Sequence, residues 1–288
     1  MAPMDMSGLS EELSRAYSLL GWVEDPYSPS GKQRFEGTLR HMKLLVDHEW
    51  VKDLVSGRDV VRILEICSGT GFGGVALAKT LIGEGTEAEL LLTDLRRDAL
   101  KVAEKWGREV LGREIEVSVA DAREVHKLGR RFDIALIYGL STPHFDPWDI
   151  ARVFASVSEA LVDDGIFVID EADRRYTVFL TRGYKEVLAE SASEGRLVVS
   201  FHMGYDPLRG LCKRVFADLI KRAEPVTLSM FLWGLAEVAS LAWLFFNDVD
   251  LVNLGGVRYF ILGREPRRAL SPGDLREPAL LRKIGGKA

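Results

Sequence analysis

The sequence predicts an α/β protein: a seven-stranded, mostly parallel, doubly wound sheet with an antiparallel last strand, plus helical N-terminal and inserted cap elements. Three observations carry this prediction. From residue 60, short apolar runs rich in β-branched residues alternate with segments of helical period, as in a parallel sheet covered on both faces. The first run, 60–66, ends in a glycine-rich turn, Cys67-Ser68-Gly69-Thr70-Gly71-Phe72-Gly73-Gly74, and a helix follows at once. Runs at 248–254 and 257–263 are joined by Gly255-Gly256, and so short a turn makes them antiparallel neighbours.

Taken in order, residues 9–20 have a helical period, with Ser10 in the N-cap place and Glu11 and Glu12 in the first turn. A loop at 21–31 carries Trp22, Pro26, Tyr27 and Pro29. Residues 34–55 return to helix, with Leu39, Met42, Leu45, Val46, Trp50 and Leu54 as an apolar stripe. These first 58 residues form an N-terminal extension. Its loop aromatics either staple the extension to the core or belong to a substrate lid.

The core spans 59–173, with strands at 60–66, 88–94, 115–119, 132–138 and 166–170 and helices at 72–83, 97–107 and 148–162. Ligands on such sheets bind outside the carboxyl ends of the strands. That rule assigns 65–71, Asp94, Asp121, 138–144 and Asp170-Glu171 to a site. Residues 174–245 are an inserted cap, expected as a helix at 174–192, a strand at 196–203 and an amphipathic helix at 208–223 with Leu211, Val215, Leu219 and Ile220 inward. The next segment, 226–246, holds 21 residues with one charge, Glu237. A carboxylate is costly at the centre of a bilayer, so a buried helix running into a strand is expected and no membrane partner. Residues 246–264 return two strands to the core. Residues 265–288, basic and broken by Pro266, Pro272 and Pro278, read as a solvated tail.

A net charge of −5 gives no general electrostatic case for nucleic acid. The two cysteines, Cys67 and Cys212, do not suggest a disulfide, because Cys67 falls in the glycine turn; a reducing, cytoplasmic setting is expected. The first residues lack the basic segment and apolar core of a secretory signal. Two Asn and one Gln stand against 38 Lys and Arg and 43 Asp and Glu, a thermophile-like bias.

The turn admits two cofactor readings. Gly69-Thr70-Gly71-Phe72-Gly73-Gly74 contains GxGxxG with Asp94 20 residues beyond Gly74, as an NAD(P)-dependent oxidoreductase would have. The other reading uses more of the chain. Glu65-Ile66-Cys67-Ser68-Gly69-Thr70-Gly71 resembles the acidic-x-Gly-x-Gly-x-Gly motif of class I S-adenosylmethionine-dependent methyltransferases, with Cys67 at the first glycine place. The resemblance continues at Asp94 in LLLTDL, at Asp121-Ala122, at FDIALIYG, which ends in Tyr138-Gly139, and at ALVDDGIFVIDE; VRYFILG is like the family's last antiparallel strand. It implies that Glu65 organises the loop (Cys67, Ser68, Gly69, Thr70, Gly71) around the cofactor's amino-acid end. By the same resemblance Asp94 accepts the ribose hydroxyls, Leu95 lies on an adenine face, and Asp121 with Ala122 reaches the adenine edge. Carboxylates suit the ammonium and sulfonium of S-adenosylmethionine, whereas Glu65 would repel a pyrophosphate. The product would be S-adenosylhomocysteine.

Methyl transfer needs the acceptor held in line with the sulfonium carbon, with water excluded. The segment from Tyr138 to Asp146 lacks the Asn/Asp-Pro-Pro-Tyr or Phe signature of base amino-group methylation and shows no metal-ligand pattern. His144 is the one candidate general base, set against a plain loop role. His41 and His48, seven apart on one expected helix, make no metal site by themselves. The aromatic cap favours a small-molecule acceptor, with RNA or protein left open. A non-catalytic relative that only binds the cofactor is the alternative from another class.

Overall fold

The computed structural model describes residues 6–221 and 223–285. Three helices, Met6–Leu20 (α1), Pro29–Val46 (α2) and Glu49–Ser56 (α3), precede the core. Strands Val60–Ile66 (β1), Glu87–Asp94 (β2), Glu116–Val119 (β3), Phe132–Ile137 (β4) and Leu161–Ala172 (β5) follow, linked by Phe72–Gly83 (α4), Arg97–Leu111 (α5) and Pro147–Ala160 (α6). The insert supplies Val187–Ser193 (β6), Arg196–Asp206 (β7), Leu211–Asp218 (β8), Val226–Met230 (β9) and Leu235–Phe245 (α7). Phe246–Gly255 (β10), Arg258–Pro266 (β11) and Ala279–Gly285 (α8) end the described chain.

The central sheet has the order β10-β11-β5-β4-β1-β2-β3. Strands β1 to β5 run parallel, and β11 pairs antiparallel with both β5 and β10. Successive strand residues point to opposite faces, so Ile63 joins Met42, Leu45, Val75, Leu77 and Trp106 on one side. Leu64 and Ile66 join Phe154, Phe167, Trp233 and Phe246 on the other. Phe154 is fully enclosed, and truncating it to Ala would cost about 3–5 kcal/mol by lost burial and an unfilled cavity.

The insert departs from expectation. It is built on a four-stranded antiparallel sheet, β6-β7-β8-β9, and not on helices at 174–192 and 208–223. Of the first segment only residues 174–181 coil, the last six, Tyr176–Thr181, as a π-helical turn before Gly183. In β8 the inward face is Arg214, Phe216 and Asp218, all buried, while Leu219 and Ile220 are exposed. An apolar count could not see a face on which two of three buried side chains are charged. Arg222, in the expected second helix, lies outside the described residues. The apolar segment 226–246 is divided into β9 and α7. Glu237 accepts a hydrogen bond from Gly234 N at 2.9 Å at the start of α7 and pairs with Arg175 at 2.5 Å, which accounts for a charge in an apolar run. Among the described residues no helix is long and apolar enough to cross a membrane.

Two smaller corrections concern the termini. The expected helix 34–55 is two helices, broken at Asp47-His48, where His48 Nδ1 accepts from Trp50 N and so caps α3. Ser10 sits inside α1 and donates to Leu95 O at 2.9 Å instead of capping. The basic segment packs: Arg268 reaches Leu161 O and Asp163, each at 2.7 Å, Arg152 donates to Leu275 O, and Leu281 in α8 is buried. Residues 1–5 of the extension and 286–288 of the tail lie outside the described residues.

Candidate active site

The carboxyl end of β1 carries Glu65, fully buried, whose Oε2 accepts from Gly74 N at 2.7 Å. Its Oε1 has no hydrogen-bond partner among the described residues, nor has Ser68 Oγ in the turn beyond. Burial pushes the Glu65 carboxyl up to about 8, against the lowering pull of Gly74 N–H and Arg34. The two glycines that open α4 make this arrangement possible. A Cβ on Gly73 would stand 2.4 Å from Glu65 Oε1 and 2.5 Å from Tyr138 Cβ, and one on Gly74 2.8 Å from Leu92 Cδ2. They let the helix start directly against the carboxylate.

The turn keeps the glycine path where the sequence departs from it. Cys67 adopts φ +54°, a left-handed conformation that costs a side-chain-bearing residue about 1–2 kcal/mol. Burial, then Asp94, Asp121 and Glu65, raise its thiol, so it is not a ready nucleophile. Ser68 N donates to Thr93 O at 2.9 Å and Gly71 N to Ser68 O at 2.8 Å, which pin the turn to the end of β2.

At that end Asp94 accepts from Gly69 N at 2.7 Å and from Arg96 N at 2.8 Å, one backbone donor to each oxygen. A carboxylate oxygen has two lone-pair directions, so each still has acceptor capacity. Leu95, half-buried, follows. Asp121 ends the approach from β3. Burial works to raise its carboxyl, but hydrogen bonds from the Arg123 side chain and backbone outweigh that and hold it low. Arg123 grips both Asp121 oxygens, with Nη2 at 2.6 Å, and its Nη1 reaches Asp149 at 3.1 Å. Ala122 is buried beside it.

Beyond β4, Tyr138 turns toward α2: its hydroxyl donates to Thr38 Oγ1 at 3.2 Å and lies 2.9 Å from His41 Nδ1. Gly139 N donates to Asp170 Oδ2 at 2.9 Å. Asp170 is held by Arg258 at 2.7 and 2.5 Å. Glu171 is bound by Arg174, Thr142 and Ala172 N, and Arg174 also donates to Leu140 O at 3.1 Å. His144 is half-buried with Nε2 3.5 Å from the Tyr17 hydroxyl oxygen. Burial, then Arg174 and Arg96, take its imidazole down to about 4. It is neutral at pH 7 and a weaker base than an unshifted histidine. His41 lies in α2 and His48 in the break that caps α3, so they share no helix face.

The structure thus brings Glu65, the turn, Asp94, Leu95 and Asp121 together at adjacent strand ends, and His144 meets Tyr17, whose ring lies against the Arg96 guanidinium. The sequence did not single out Tyr17, Glu24, Arg34 or Arg96. Arg96 pairs with Glu24 at 2.5 and 3.0 Å and stacks its guanidinium 4.0 Å from the Tyr17 ring. Arg34 donates to Val23 O. The α1–α2 loop therefore lies over the glycine turn. The signal for it was the pairing of a charged, aromatic loop between Gly21 and Gly31 with an arginine two residues past Asp94.

Residues 63–165 match the family model described as a methyltransferase domain. No curated protein matches the chain. Among solved structures, the PH0226 protein of Pyrococcus horikoshii is 20% identical with a TM-score of 0.62, over 88% of this chain and 98% of that one. An S-adenosylmethionine-dependent methyltransferase of Clostridium acetobutylicum is 13% identical with a TM-score of 0.61, over 87% of this chain and 99% of its own. The CcbJ methyltransferase of Streptomyces caelestis is 13% identical with a TM-score of 0.60, over 91% and 99%. These likenesses establish the fold. The matched domain begins within β1 and ends within β5, so this part of the chain, which holds the glycine turn, Asp94 and Asp121, is similar to a methyltransferase domain on a Rossmann-like fold.

Proposed function

We propose that this enzyme transfers a methyl group to a small-molecule acceptor bound beside the β4 end of the sheet. One observation carries the cofactor half of the reading: Asp94 is oriented by two backbone donors and keeps acceptor capacity on both oxygens. That suits the two ribose hydroxyls of S-adenosylmethionine. Glu65, the turn from Cys67 through Ser68, Gly69 and Thr70 to Gly71, and the unpartnered Ser68 hydroxyl would face its amino-acid end. Leu95 and Ala122 would flank the adenine, with Tyr138 and Gly139 at the exit toward the acceptor. Asp121 would take part only as far as Arg123 shares it.

The cofactor supplies an electrophilic methyl on a sulfonium; the protein's share is position and dryness. The acceptor half rests on coverage. Tyr17, on α1, packs edge-on against Trp22, with centroids 4.6 Å apart, and stacks on His144 at 6.2 Å. An acceptor has to fit beneath that cover, which favours a small molecule over a nucleic-acid strand. His144 would line the acceptor space as a neutral hydrogen-bonding group. The unpaired Cys67 and Cys212 suit a reducing cytoplasm, and the many arginine–carboxylate pairs suit a heat-adapted source.

The test is a screen of amine, phenol and carboxylate small molecules, RNA and protein, reading S-adenosylhomocysteine by mass spectrometry. Turnover with a small-molecule class is expected. Turnover on RNA or protein alone would overturn the acceptor reading. Tight cofactor binding with no turnover on any class would mark a binding protein.

A further inference from the structure

We propose that the Glu24–Arg96 ion pair is a latch that holds the α1–α2 loop on the glycine turn and gates entry and exit of the cofactor. This rests on the reading that S-adenosylmethionine binds at that turn.

Arg96 is almost wholly buried, at 3% exposure, although it carries a full charge. Both its terminal nitrogens donate to Glu24, at 2.5 and 3.0 Å, in the paired geometry that a guanidinium and a carboxylate favour. Its Nε lies 3.7 Å from Asp94 Oδ1 and its plane covers the Tyr17 ring, so one side chain joins the α1–α2 loop, α1 and the carboxylate at the end of β2. The pair lies directly on the turn. A Cβ built on Gly69 would be 3.2 Å from Arg96 Nη2 and 3.6 Å from Glu24 Oε1. The Glu24 backbone is fixed as well, because Thr70 Oγ1 donates to Glu24 O at 2.8 Å. Any ligand that reaches the Gly69 backbone from the loop side must move this pair.

Arg96 is therefore a positioning residue. It acts through Asp94 and the loop, and no contact of its own with the reacting atoms is needed. Besides Thr70, Arg34 holds Val23 O from α2, the Tyr27 hydroxyl donates to Glu109 on α5 at 2.9 Å, and Trp22 packs on Tyr17, so Glu24 is the loop's charged tie to the residues beside the turn. Breaking the ion pair should free the loop and leave the sheet intact.

The experiment compares wild type with Glu24→Gln and Arg96→Lys, using S-adenosylhomocysteine as the probe in stopped-flow binding. Glu24→Gln is expected to speed both association and dissociation about tenfold or more, with Kd changed less than about threefold, because the latch closes over free and loaded protein alike. Arg96→Lys, a point charge without the fork, should fall between. A cofactor-free arm measures amide hydrogen exchange over residues 21–28, expected to quicken in Glu24→Gln. Unchanged exchange would overturn the latch, as would a rise in Kd with the association rate unchanged. If wild type bound no probe, the cofactor reading would fall and the exchange arm would still decide the latch.

Discussion

The carboxylates at the ends of β1 and β2 are held differently from those at the end of β5. Glu65 and Asp94 accept from backbone amides of Gly74, Gly69 and Arg96, and Glu65 Oε1 has no partner among the described residues. Asp170 and Glu171 are equally buried, yet their oxygens are taken up by Arg258, Arg174, Thr142 and the amides of Gly139 and Ala172. Backbone donors orient a carboxyl group through its hydrogen bonds alone; an arginine fork also sets a counter-charge against it. The first pair is left with open acceptor positions, as the proposed cofactor role requires, and the second fixes the loop beyond β4. Asp121, gripped by Arg123, stands between the two kinds.

The contrast is sharpened by mutation. Asp170→Ala should cost stability most, about 3–5 kcal/mol, because it leaves the Arg258 guanidinium without its buried partner. Urea unfolding measures it, and a loss below ~1 kcal/mol would remove the structural half of the contrast. Asp94→Ala should lower S-adenosylmethionine affinity about a hundredfold, the value of two charge-assisted hydrogen bonds, with a smaller stability loss. Calorimetric titration showing unchanged affinity would refute the ribose role proposed for it.

The buried titrating groups separate by pH. The His144 imidazole, at about 4 when folded, binds its proton more readily in the unfolded chain, so stability rises with pH between 4 and 6.5. His144→Gln should remove most of that rise, ~3 kcal/mol at the upper limit. Glu65 has the opposite sign. Its folded carboxyl, at about 8, keeps a proton that the unfolded chain has lost, so stability falls as pH goes from 4.5 to 8. Glu65→Gln should flatten the alkaline part, ~2 kcal/mol between pH 6.5 and 8, and an equally steep variant would place the charge elsewhere. The smallest effect is expected of Cys67→Gly. Relief of the left-handed strain is offset by the freer unfolded chain, for a net gain of at most ~1 kcal/mol by thermal unfolding. A marked loss would mean that the thiol's packing outweighs the strain.

The part of the molecule legible in sequence is the part whose chemistry is local. A buried parallel strand is apolar nearly throughout, so Ile63-Leu64 and Ile134 to Ile137 announce themselves, and Glu65 and Asp94 stand out as charges at or near the ends of such runs. The glycine turn is local too, and the close approach of Gly73 and Gly74 to Glu65 is what their lack of side chain permits. The insert hides because its sheet buries Arg214 and Asp218 while Leu219, in the turn after β8, is exposed, the reverse of the usual pattern. The latch hides for another reason. Glu24 and Arg96 lie far apart in the chain, and nothing in either segment alone names its partner.

The central claim is that the turn and the β2 carboxylate together select a nucleoside sulfonium over a dinucleotide. Paired calorimetric titrations with S-adenosylmethionine and with NAD test it most directly. One S-adenosylmethionine per chain is expected, with affinity collapsing in Asp94→Ala and holding in Asp170→Asn, and no heat from NAD. Binding of NAD alone would contradict it.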